Sequence, residues 1–158
     1  MQTEQKHWAA QLRAIPADFR AAVSTVEDHT LRHRPAQGEW SAIEVVGHMI
    51  DKVQAWSKRV ERIITEDQPL LLGFDQDAFV LDRGYQNSNL ETLLKQLTQA
   101  CDHFAQVVEQ LPDSVLERKD LHSENGLMTL RQCIEAPLTS IPNHLAQLQA
   151  ALAIEQNT

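Results

Sequence analysis

Apolar side chains recur along this chain at alternating steps of three and four residues in four long segments. That rhythm restricts it to helices that each pack by one face. Trp8, Leu12, Ile15, Phe19, Ala22 and Val26 form the first stripe. Pro16 falls inside it; lacking a backbone donor and crowding the preceding turn, it is expected to kink this helix or divide it. Between residues 32 and 38, Pro35 and Gly38 break the rhythm and mark a loop. The second stripe, over roughly 41–66, runs through Ile43, Val46, Ile50, Val53, Val60 and Ile64, widened by Val45, Met49 and Trp56. Ser41 and Glu44 have the spacing of a capping box, in which each side chain bonds the other's backbone amide. A similar pair, Ser88 and Glu91, precedes the third stripe, Leu90, Leu94, Leu97, Cys101, Phe104, Val108 and Leu111, which Pro112 ends. Thr129 and Gln132 open the fourth, Leu130, Ile134, Leu138, Ile141, Leu145, Leu148 and Leu152, where Pro137 and Pro142 are expected to bend the helix twice.

Four helices with one apolar face each hide those faces together as a bundle. The expected fold class is therefore all-α, a four-helix bundle. At 158 residues with 42% apolar content the chain fits a single domain, 1–158, with a full core. No strand-like alternation exceeds a few residues. Residues 67–87 are too long and too apolar for a hairpin loop, holding Leu70, Leu71, Leu72, Phe74, Phe79, Leu81 and Tyr85. Such a connection lets helix three run parallel to helix two as a long crossover. Its apolar residues are expected to cover the bundle or a second subunit, which makes a homodimer the expected assembly.

The charge balance narrows the partners. Fourteen Lys and Arg against 22 Asp and Glu give a net charge of −8, which repels a phosphate backbone, so nucleic acid is not an expected partner. No apolar run approaches the roughly 20 residues that cross a bilayer, so no membrane association is expected. The first ten residues contain Glu4, Lys6 and His7 where an export signal has an apolar stretch. Cys101 and Cys133 form no CxxC pair, which argues against a disulfide framework or a cysteine zinc site. A cytoplasmic location is expected.

Seven histidines raise the question of metal. His7, His103 and His122 have no second candidate ligand at helical or loop spacing and read as solvated or partly packed. His29 and His33 have the i, i+4 spacing of one helix face, but fall where helix one fades into the Pro35 loop. His48 lies within helix two beside Val45, Met49 and Trp56, with Glu44 and Asp51 one turn to either side; His144 has the comparable place in helix four, between Ile141 and Leu148. Two such rings on different helices of one bundle either share a divalent ion or are two hydrogen-bonded core histidines.

The segment Pro35-Ala36-Gln37-Gly38-Glu39-Trp40-Ser41-Ala42-Ile43-Glu44-Val45-Val46-Gly47-His48 resembles the loop and second-helix start of DinB-like proteins, and His144-Leu145-Ala146-Gln147-Leu148 resembles their closing motif. The likeness spans nearly the whole chain, linker included. It implies an up-down-down-up bundle, often dimeric, with a divalent metal such as zinc or nickel held by three histidines. Carried onto this chain, the first ligand is His48 and the last His144; the middle position is Ser140, a poor ligand, so the triad is incomplete. Asp51 or Glu44 is then the candidate to complete the set or to orient His48. The resemblance implies metal-dependent thiol transfer or hydrolysis on a small molecule; the alternative is a non-catalytic bundle that binds a small ligand or is structural, the metal having been lost. Cys101 and Cys133, on apolar stripes, read as packing residues and not as nucleophiles. No catalytic residue is assigned from the sequence.

Overall fold

The computed structural model describes residues 3–66, 70–71, 76–122 and 126–156. The four stripes become four long helices, α1 (Thr3–Val23), α3 (Ala42–Thr65), α5 (Leu90–Glu109) and α6 (Leu130–Gln156). A single turn, α2 (Asp28–Leu31), follows α1, and α4 (Gln76–Arg83) lies within the long connection. The stripes form the core: Leu12, Phe19, Ile43, Met49, Leu97, Phe104, Ile134 and Leu148 are all fully buried.

Cross-helix pairs establish the directions. Gln5 reaches the Leu111 carbonyl and Asp113, Arg13 pairs with Asp102 and Glu109, and Arg20 with Glu91, so α1 is antiparallel to α5. Tyr85, just before α5, packs on Gly47 early in α3, while His103 late in α5 meets Glu61 late in α3, so these two helices run in parallel. Arg118, ahead of α6, bonds the Glu66 carbonyl at the end of α3, and His144 lies against His48, so α6 runs opposite to α3. Arg131 pairs with Glu4, placing the starts of α1 and α6 at one end. The path is up-down-down-up with a crossover between α3 and α5, as the sequence implied.

Some local expectations need correction. α1 and α6 are each a single helical span, with Pro16 inside the first and Pro137 and Pro142 inside the second, so α1 is not divided at Pro16. At Pro142 the cost falls on the carbonyl of Leu138, which loses its usual donor. The Ser41–Glu44 and Thr129–Gln132 boxes form as expected. The Ser88–Glu91 box does not: Asn89 caps α5 by accepting from the Thr92 amide at 3.0 Å, Ser88 bonds back to the Gly84 carbonyl, and Glu91 is engaged by Arg20. The all-α class holds, with one small addition beside the bundle. Three short strands, β1 (Leu70–Leu71), β2 (Lys119–His122) and β3 (Gly126–Thr129), form a small sheet at the end of the bundle where α6 begins. β2 and β3 are antiparallel, with Gly126 at φ 73°, and β1 joins β2 in parallel.

The connection does cover the bundle. Val80 and Tyr85 are buried in the common core, whereas Leu81 is exposed. Leu72 and Phe74 lie outside the described residues. No described helix is long and apolar enough to cross a membrane.

Candidate metal-binding site

The site begins with the cap of α3. The Ser41 amide donates to Glu44 Oε1 at 3.0 Å, and Arg34 grips the same carboxylate with two bonds, of 2.8 and 3.0 Å. Burial alone would push the Glu44 carboxyl up, but the Arg34 and Ser41 bonds outweigh it and hold the group below its ordinary value. This pins the loop that carries Trp40 over the first turns of α3, and the Trp40 ring settles 4.7 Å from that of His48.

His48 is fully buried, and neither ring nitrogen has a hydrogen-bond partner among the described residues. The His144 ring meets it edge-on from α6, with centroids 4.7 Å apart and planes at 68°. Burial, then the nearby charges of His144 and Lys52, lowers the His48 pKa to about 3, so the ring is neutral. Burial and Lys52 also lower His144, partly offset by its hydrogen bond to Gln147. Its Nδ1 lies 3.3 Å from Gln147 Oε1. Because an amide oxygen only accepts, Nδ1 carries the proton and Nε2 the lone pair. The pair of histidines singled out from the sequence is thus brought together. Trp40 and Lys52 were not foreseen as their neighbours, although the i, i+4 spacing of His48 and Lys52 was a usable signal.

The remaining candidates do not complete the set. Ser140 stands one turn before His144 on a continuous helix, but its hydroxyl donates to the Pro137 carbonyl at 3.0 Å. Glu44 is held by Arg34 and Ser41. Asp51 Oδ1 accepts from Tyr85 Oη at 2.8 Å and pairs with Arg83 at 2.9 Å, while its buried Oδ2 has no hydrogen-bond partner among the described residues. Burial raises the Asp51 carboxyl, against the opposing pull of Tyr85 and Arg83. Among the described residues no group of three His, Cys, Asp or Glu is placed to hold a metal ion. Two imidazoles suit a divalent transition metal, and the unpartnered His48 nitrogens leave room in the hydrogen-bonding scheme for one. Among the described residues no third donor stands beside the two rings, and the Lys52 ammonium opposes a cation, so these residues do not fit a tightly held ion.

The other histidines are placed elsewhere. His29 pairs with Glu27, and α2 ends at Leu31, before His33, so no helix face carries both. His7 is exposed. His103 does have a partner that spacing did not suggest, Glu61 on α3 at 2.9 Å. The side chain of His122 lies outside the described residues. Cys101 and Cys133 are fully buried, as packing residues should be, and burial pushes the Cys101 thiol up to about 12.

A model of the DinB superfamily matches residues 11–148, a span that holds His48, Ser140 and His144. Over 146 residues the chain is 21% identical to a protein of Oceanobacillus iheyensis named "putative metal-dependent hydrolase", covering 92% of this chain and 84% of that one. Over 147 residues it is 22% identical to YfiT of Bacillus subtilis, which bears the same description, covering 92% and 83%. The solved structure of YfiT, described as a "probable metal-dependent hydrolase with an unusual four-helix bundle topology", shares this fold with a TM-score of 0.85 at 22% identity, over 96% of this chain and 87% of that one. With the family match running from α1 to α6 across the paired histidines, the chain belongs to the DinB superfamily.

Proposed function

We propose that His48 and His144, where α3 meets α6, form a two-histidine ligand site that takes a divalent transition metal weakly, in a protein similar to chains named "putative metal-dependent hydrolase". The observation that carries this reading is His48, fully buried with both ring nitrogens unpartnered, facing a second imidazole at 4.7 Å. Leaving a buried polar group without a partner costs about 1–3 kcal/mol, so a bound ligand or ion relieves a real deficit. A metal there would supply Lewis-acid chemistry, depressing the pKa of a coordinated water or thiol. The protein's own contribution is positional. Trp40 and the packed helix fix the His48 ring, Gln147 selects the His144 tautomer, and Lys52 offers a cation to an anionic ligand. Water or donor atoms of a bound small molecule would have to occupy the positions that a third histidine fills in the family pattern.

One observation favours a second reading, a bundle that binds a small ligand without catalysis. Ser140 not only lacks the imidazole but turns its hydroxyl to the backbone.

Elemental analysis of untagged protein and calorimetric titration with Zn2+ and Ni2+ separate the two. The metal reading expects weak binding that His48→Ala abolishes. One tightly held metal per chain would overturn the weak-site claim, and binding unchanged in His48→Ala, or none at millimolar metal, would leave the second reading.

A further inference from the structure

Three threonines within the helices return their hydroxyls to the backbone. Thr65, Thr98 and Thr139 each donate to the carbonyl four residues back, at 2.9 Å, the ordinary arrangement for such side chains in a helix. Ser57 of α3 does not. It is 3% exposed, and its buried Oγ has no hydrogen-bond partner among the described residues. A hydroxyl buried in this way is unfavourable until something bonds it.

Ser57 lines a cavity of about 620 Å³ between α3, α5 and the end of the crossover, a volume in the range of small-molecule sites. On the α3 side stand Gln54, Lys58 and Glu61, at steps of four and three; on the α5 side stand Gln96, Gln99 and His103, at steps of three and four. That spacing keeps each trio on one face of its helix. Because α3 and α5 run in parallel, the trios face each other in the same order, and Glu61 and His103 meet at one end at 2.9 Å. Among the described residues none of α6 lines this cavity. Ser57 follows His48 by nine residues, about 13 Å along the helix axis, so the cavity is separate from the histidine pair.

The lining is matched to hydroxyl groups. Each glutamine amide offers both a donor and an acceptor, as a hydroxyl does, and the Ser57 Oγ adds both at the buried side. Of the charged groups, Arg83 is paired with Asp51 and Glu61 with His103, which leaves the Lys58 ammonium to meet one anionic end. We propose that this cavity binds a polyhydroxylated carboxylic acid of sugar size, its carboxylate on Lys58 and its hydroxyls on Gln54, Gln96, Gln99 and Ser57.

The test is calorimetric titration of the full chain, in EDTA and low salt, with gluconate, sorbitol and hexanoate, which present hydroxyls with a carboxylate, hydroxyls alone and a carboxylate alone. Gluconate should bind at one site per chain, and the other two about tenfold or more weakly. Ser57→Ala should weaken gluconate about fivefold or more, yet leave the thermal midpoint of the ligand-free protein unchanged or higher, because the hydroxyl it removes bonds nothing there. Lys58 is exposed, so Lys58→Gln is an independent probe that does not disturb the core. It should weaken gluconate about tenfold and leave sorbitol within about twofold. His48→Ala should leave gluconate within about twofold, which keeps this proposal distinct from the metal reading. Absence of gluconate binding at millimolar concentration overturns the proposal, as does an unchanged affinity or a lower thermal midpoint in Ser57→Ala. Hexanoate binding as tightly as gluconate would mean a carboxylate on a surface lysine only, and sorbitol binding as tightly would refute the acidic ligand.

Discussion

Tyr85 packs against Gly47 so closely that a β-carbon at position 47 would lie 2.2 Å from two of its ring carbons. The glycine admits the ring, and Tyr85 Oη then reaches Asp51 one turn further along α3, which ties the crossover to the helix it leaves. Gly47→Ala gains about 0.5–1 kcal/mol of helix propensity but forces the ring out, and overpacking of this kind costs about 1–3 kcal/mol. The clash wins, and a lower urea midpoint is expected. In a Tyr85→Ala background the sign should reverse, Gly47→Ala becoming mildly stabilising. Destabilisation of equal size in both backgrounds would rule out this account.

Ser140→His is expected to raise affinity for Zn2+ or Ni2+ by about tenfold or more in a calorimetric titration, because it adds a third imidazole. Pro137 and Pro142 leave α6 a single span, so positions 140 and 144 lie one turn apart. No gain would mean that position 140 does not address His48.

The helix caps separate two readings of one segment. Asn89→Ala should cost about 0.5–2 kcal/mol in chemical denaturation, since it removes the acceptor for the Thr92 amide, while Ser88→Ala should stay within about 0.5 kcal/mol. The reverse order would restore the capping box suggested by spacing.

Glu44 gives the pH dependence a sign. Its folded carboxyl lies below the ordinary value of 4.5, so in acid the unfolded chain takes up its proton first. The stability it contributes is full above the unfolded value and is lost as the pH falls through the folded one. Between about pH 5.5 and about 4, wild-type stability should fall more steeply than that of Glu44→Gln, which starts lower at neutral pH. Parallel urea-midpoint profiles for the two proteins would contradict this.

Residue spacing made the long helices, the Ser41 and Thr129 caps and the His48–His144 pair legible, because a 3.6-residue repeat states which side chains share a face. It did not choose between Ser88 and Asn89. Both are good caps, and what decides is Arg20 on a distant helix drawing Glu91 away. β2 and β3, four residues each, are too short to show an alternation, and β1 exists only through its partner. Trp40 over His48 escaped notice because nothing local says where a loop tryptophan lands. Gly47 in a helix likewise does not announce which ring it admits.

The shared direction of α3 and α5 has a kinetic consequence. Antiparallel neighbours can zip from a short turn, but these two meet only after residues 66–89 have returned the chain along the length of the bundle. Closing that loop spends chain entropy before the α3–α5 contacts repay it. The docking of Tyr85 onto Gly47 is then a late event in folding, and its loss should speed unfolding more than it slows refolding.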